Sequence, residues 1–159
     1  MATEKNHTLF IPADAFLEHW QGHRRLTRRI IEAFPEDKFA SFSIGGMRPF
    51  SELVGEIIGM TVPTVVGVAT GTWEFNPGPK PATKEEALRM WDEATKGLDK
   101  AWATIPGHRF LEVDLAFGQW EGPGYWILNY IVDNEVHHRG QGYVYLRALG
   151  IEPPFFYER

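Results

Sequence analysis

Between Asp133 and Gln141 the chain concentrates side chains that can hold protons or metal ions, and it does so inside an apolar helical pattern. Ile127, Ile131, Tyr145 and Leu149 recur at a spacing near that of an α-helix and mark one stripe. Asn134, His138 and Gln141 fall on the same stripe. A buried polar group without a partner costs about 1–3 kcal/mol. Three of them on a core stripe therefore imply either an internal hydrogen-bond network or a site. Asn134 and His138 are four residues apart, so one helical turn stacks them. A helix offers two ligands to one metal ion at that spacing. The competing readings are a core histidine satisfied by a neighbouring carboxylate or carbonyl, and an interhelical hydrogen bond from Asn134.

Two further histidines, His19 and His23, are also four apart and fall on the apolar side of the first helix. His23 lies near the centre of that side, which makes it either a core-edge residue or a fourth ligand or general base for the site. Arg24, Arg25, Arg28 and Arg29 are expected to form the opposite, solvated face of that helix. His137 points about 100° away from His138 around the helix. Arg139 is expected to face outward in a structural ion pair, and Gln141 to face inward, where it could orient His138.

Four amphipathic segments are available to position these residues. The first helix is expected from Ala13 to Phe34, opened by Pro12 and stopped by Pro35. The second starts near Pro49, with Phe50, Leu53, Ile57 and Met60 on one face and an expected kink or break at Pro63. Thr70 to Ala82, rich in Gly and Pro, reads as a loop. The third helix runs from Thr83 to about Ile105 and carries a capping box at its start. His108 to Gln119 fits either a short strand or an extended crossover. The fourth helix runs from Gly124 to Leu149, with Gly150 as its stop signal. Trp120 and Trp126 flank its start and could line a pocket. Four such segments in one chain read as an all-α four-helix bundle, which places ligands between facing helices.

A chain of 159 residues, 43% apolar and 14% aromatic, suits a single domain with a packed core. The net charge of −5 argues against nucleic acid or an anionic membrane as the partner. Cysteine is absent, so a metal here is held by His, carboxylate, amide or water. The first seven residues lack the charged and apolar regions of a signal peptide. No uninterrupted apolar run reaches membrane-spanning length. The expectation is a soluble, cytoplasmic protein.

The run Asn134-Glu135-Val136-His137-His138-Arg139-Gly140-Gln141, continuing through Tyr145-Leu146-Arg147 to Gly150 and Pro153, resembles the fourth-helix signature of the DinB/YfiT-like family. Met47-Arg48-Pro49-Phe50 through Glu56-Ile57 resembles its second helix, and the Trp20 helix ending at Phe34-Pro35-Glu36 its first. The resemblance implies an up-down-down-up four-helix bundle over residues 1–159, with irregular connections and a homodimeric assembly. It also implies a site of three histidines, one on the second helix and two on the fourth. In this chain those positions correspond to Glu56, Asn134 and His138. Such a mixed oxygen and nitrogen set is harder than three histidines and suits Ni, Mn or Fe more than Zn. The implied activity is a metal-dependent transferase acting on low-molecular-weight thiols, or a related hydrolase. Glu56, Asn134 and His138 would hold the ion, Gln141 would support His138, and His138 with His23 (or His137) would handle protons. The alternative is a non-catalytic bundle with a degenerate site, serving as a small-ligand-binding or stress-related dimer.

Overall fold

A computed structural model describes residues 11–159; the reading of the first seven residues lies outside that range. Three of the four long helices begin directly after a proline. They are α1 (Ala13–Ala33, after Pro12), α3 (Phe50–Thr70, after Pro49) and α5 (Gly124–Ala148, after Pro123). Proline at that boundary sacrifices no helical hydrogen bond and presets φ. The fourth, α4 (Lys84–Trp102), starts on a capping Thr83 whose hydroxyl accepts the Glu86 N–H at 3.1 Å. Glu86 in turn accepts from the Ala82 N–H. A one-turn helix, α2 (Glu36–Phe39), follows Pro35 and was not expected from the sequence. Gly150 ends α5 with φ 77, and the Ile151 and Gly150 amides bond back to the carbonyls of Leu146 and Arg147. This is the Schellman arrangement.

Helix directions follow from what each end touches. Ile30, Ile31, Phe34, Phe50, Ala87, Trp91, Tyr145 and Leu146 form one half of the core. Trp20, Val65, Val68, Leu98, Trp102, Ile127 and Ile131 form the other. Thus α1 and α5 run one way, and α3 and α4 run the other, the up-down-down-up arrangement. Running α4 parallel to α3 requires the chain to travel back along α3. Residues 72–81 do so in a groove of small residues: Trp73 packs on Gly67, Gly78 on Gly59, and Pro79 on Gly55. A Cβ on Gly55 would lie 2.1 Å from the Pro79 carbonyl oxygen.

Pro63 does not end its helix, which continues to Thr70. The helix is 21 residues long and apolar enough to cross a membrane, but 56% of its most apolar window is buried in the bundle, against α4 and α5. Its apolarity is that of a central core helix.

Of the two readings of His108–Gln119, the strand holds. Val113–Ala116 (β1) pairs antiparallel with Trp120–Pro123 (β2), after a short 3-10 turn at Gly107–Phe110. Arg109 fastens this hairpin to the bundle. Its guanidinium donates to the Val68 carbonyl at 2.7 Å, at the C-terminal end of α3, and pairs with Glu112 and Asp114. A cation at a helix C-terminus satisfies free carbonyls and complements the helix dipole.

Candidate functional site

The seam between α3 and α5 brings Glu56, Asn134, His138 and Gln141 together. Because the two helices are antiparallel, the second turn of α3 faces the middle of α5. Glu56 Oε1 lies 3.0 Å from His138 Nε2 and 3.1 Å from the Asn134 side-chain amide nitrogen. That nitrogen is 3.3 Å from His138 Nε2. Three potential donor groups thus sit within 3.0–3.3 Å of one another. His138 is buried, whereas Glu56 keeps 28% of its side chain exposed and opens the cluster to solvent.

Hydrogen bonding orients the ring. Gln141 lies with Oε1 3.2 Å from His138 Nδ1 and with its amide nitrogen 3.4 Å from His137 Nε2. Nδ1–H therefore donates to Gln141, and Nε2 faces Glu56. The carboxyl is ionised. Burial pushes its pKa up, but bonds from His138, Arg48 and Asn134 outweigh that and hold it at about 2. An unprotonated Nε2 and a carboxylate oxygen 3.0 Å apart repel unless a cation lies between them. Either a proton, making His138 an imidazolium, or a metal ion meets that need.

The donors present are compatible with a metal ion. Bonds of about 2.1 Å set at right angles place neighbouring ligand atoms about 3.0 Å apart. The observed separations match one face of such a shell, once the Asn134 amide is turned to present its oxygen. O/O/N donors of this hardness suit Mn, Fe or Ni completed by water. Among the described residues no three His, Asp or Glu side chains converge, so the third donor has to be an amide. One further group bears on the site. Arg48 Nη2 pairs with the other oxygen of Glu56 at 2.7 Å. Arg48 lay within the motif quoted from the sequence, yet nothing in its spacing signalled this contact.

His23 is not part of this cluster. It lies on α1, facing a different side of α5, where its Nδ1 accepts from Arg139 at 3.0 Å. Its Nε2 is 3.2 Å from His19 Nε2 and 3.0 Å from an Arg159 guanidinium nitrogen. Burial, then Arg139, His19 and Arg159, lower its pKa to about 4. His137 is exposed beside Gln141.

The expected outward placement of Arg139 is corrected: it is buried, donating to the His23 carbonyl and Thr27. Arg24 likewise leaves the solvated face. It is 1% exposed, bonds Thr95, Thr61 and the Trp91 carbonyl, and lies 4.0 Å from the Trp91 ring centre. Both surround Glu135, fully buried, which accepts from Trp20 at 3.2 Å and Thr27 at 2.6 Å and lies 3.8 Å from Arg24. The helix is packed against α1 as well as α3, and Glu135, Arg139 and Leu146 make up its α1-facing stripe.

Trp120 and Trp126 line a shallow cleft with Met60, Phe117 and Tyr130, with room for about one water molecule. Met60 is one turn along α3 from Glu56, and Tyr130 one turn along α5 from Asn134.

A family model for the DinB family matches residues 78–159, which include Asn134, His138 and Gln141 but not Glu56. The chain belongs to the DinB family. The bundle is similar to a DinB-like protein from Bacillus cereus ATCC 10987, at 19% identity and a TM-score of 0.72, over 91% of this chain and 97% of that one. It is similar to a DinB-like protein from Bacillus subtilis at 17% identity and a TM-score of 0.71, over 90% and 98% of the two chains. A mycothiol-dependent maleylpyruvate isomerase shares the fold at 13% identity and a TM-score of 0.57; the match spans 94% of this DinB chain and 65% of the isomerase. No curated protein matches the sequence.

Proposed function

We propose that this DinB protein is a metal-dependent enzyme of the class that transfers groups to or from low-molecular-weight thiols. The observation that carries the reading is the convergence of Glu56 Oε1, His138 Nε2 and the Asn134 amide within 3.0–3.3 Å, at an edge that keeps Glu56 open to solvent. The likeness of the fold to a mycothiol-dependent isomerase supports the thiol class.

Glu56, Asn134 and His138 would hold the ion. A bound divalent ion lowers the pKa of a coordinated thiol or water and makes a nucleophile available near neutral pH. Gln141 fixes the His138 ring so that Nε2 points into the site. His137, exposed beside Gln141, would accept a substrate proton in this reading. His23 serves the bundle interior in this reading, because its ring nitrogens are engaged by Arg139, His19 and Arg159. The absence of cysteine is consistent, since the thiol comes from the substrate. Tyr125, Trp126 and Tyr130, exposed at the start of α5, would offer an aromatic patch to a second copy, and light scattering of the purified protein measures whether a homodimer forms.

The Arg48–Glu56 ion pair favours a second reading, in which the cluster is a polar latch of a non-catalytic bundle. Thermal melts with and without Mn, Ni, Fe and Zn separate the two. An ion at about 100 times its dissociation constant stabilises the folded state by about 2.7 kcal/mol. That gain should appear in the unmodified protein and vanish in Glu56→Ala and His138→Ala. Equal losses in both variants, with and without metal, would assign the cluster to the latch.

A further inference from the structure

Arg48 sits directly before α3, and its side chain reaches along the helix to Glu56. Its backbone is pinned, because the buried Tyr145 hydroxyl donates to the Arg48 carbonyl at 2.8 Å. The side chain itself is 47% exposed and, among the described residues, makes one ion pair, to Glu56. The group is thus anchored at its base and half-exposed at its tip, where Glu56 holds it.

Charge decides what the tip does. Once a metal ion takes the place of a proton between His138 and Glu56, Glu56 contributes −1, Arg48 contributes +1, and Asn134 and the neutral His138 contribute none, so the side chains sum to zero. A divalent ion brings the sum to +2. It also draws on the carboxylate that Arg48 occupies, and cation and guanidinium repel each other at that range. The ion thus weakens the hold of Arg48 on the other oxygen of Glu56, and the site carries two uncompensated positive charges at a half-exposed rim. A thiolate on the metal supplies one negative charge. The second is best supplied by a carboxylate, which a guanidinium binds through two parallel hydrogen bonds.

From this geometry we infer that Arg48 is a substrate-binding residue that exchanges Glu56 for a substrate carboxylate, so that the site selects thiols carrying a carboxylate close to the sulfur. The inference rests on the metal reading above. It makes metal and anionic ligand reciprocal partners, each strengthening the binding of the other.

Calorimetric titration with Mn tests it, run alone, with mercaptoacetate and with 2-mercaptoethanol. Each affinity is compared between the unmodified protein and Arg48→Gln, so that chelation in bulk solution cancels. Circular dichroism confirms that both are folded, and Arg48→Lys serves as the charge-retaining control. Arg48→Gln is expected to bind Mn alone several-fold more tightly, because the competitor for Glu56 is gone. It should also lose the roughly tenfold advantage that mercaptoacetate holds over mercaptoethanol in the unmodified protein, with Arg48→Lys keeping part of it. Mn binding that is the same in both proteins, or mercaptoethanol serving as well as mercaptoacetate, overturns the role of Arg48 while leaving the metal site intact. No Mn binding by the unmodified protein overturns the metal reading and the Arg48 role with it.

Discussion

Replacing Glu135 with Gln should destabilise the protein more than any change at the exposed end of the α3–α5 seam. Glutamine has nearly the same shape, but its single oxygen can accept from Trp20 or from Thr27 and not from both, so the change removes the charge and one acceptor. Arg24 and Glu135 are 1% and 0% exposed and lie 3.8 Å apart. At an effective dielectric near 20, unit charges at that range attract by about 4 kcal/mol. Breaking a buried pair by deleting one partner costs about 3–5 kcal/mol by mutational measurement, in agreement. Arg139 makes the case stronger, because it is buried too and feels Glu135 as its chief favourable charge. For a domain of this size the loss corresponds to a melting point lower by roughly 6–20 °C. The assay is urea denaturation of the single variants Glu135→Gln and Arg24→Met and of the double variant, read as a cycle. A coupling of at least about 2 kcal/mol is expected. Additive losses, or a Glu135→Gln protein within about 1 kcal/mol of the original, would refute the idea that this network holds α1 to α5.

Three other outcomes follow from the structure. Gly55→Ala should destabilise by about 1–3 kcal/mol through overpacking, since its Cβ meets the Pro79 backbone rather than a movable side chain; a melting curve superimposable on the original would contradict the packed crossover. Glu56 has a folded pKa near 2, below its ordinary 4.5. Its contacts therefore stabilise fully above about pH 4.5 and lose that effect as pH falls toward 2. Melting points from pH 7 to 3 should decline less steeply in Glu56→Gln, and parallel declines would argue otherwise. His23, held near 4 rather than 6.5, favours the neutral folded state, so its contribution weakens the fold as pH drops from 6.5 to 4. NMR titration of its ring should show a neutral imidazole at pH 6; a midpoint near 6.5 would mean that Arg139 and burial do not act on it as described.

The four long helices were legible because their starts carry proline or a capping threonine and their faces repeat at helical spacing. The hairpin was half legible, since a four-residue strand carries too little alternation to separate it from an extended crossover. Pro63 does not interrupt α3: the expected break was weighed on a lone helix, whereas α3 is held on both sides of the proline by packing against α4 and α5. The Asn134–His138–Gln141 stripe led to the α3–α5 seam. Glu135 and Arg139 were missed as a pair because α5 was assigned one buried face, while a central helix of a bundle has two. Glu135 is four residues from both Ile131 and Arg139, and Arg24 lies four residues after Trp20, so the signal was present in the same periodicity. Arg48 had no such signal: its contact with Glu56 depends on how a long side chain lies along α3.

Elemental analysis of protein purified without an affinity tag, beside His138→Ala prepared in the same way, tests the central claim most directly. Near-stoichiometric Mn, Fe, Ni or Zn in the first and its loss in the second is the expected result. No metal in the unmodified protein, even after loading with each ion in turn, would contradict a metal site and leave Glu56, Asn134 and His138 as a latch between α3 and α5.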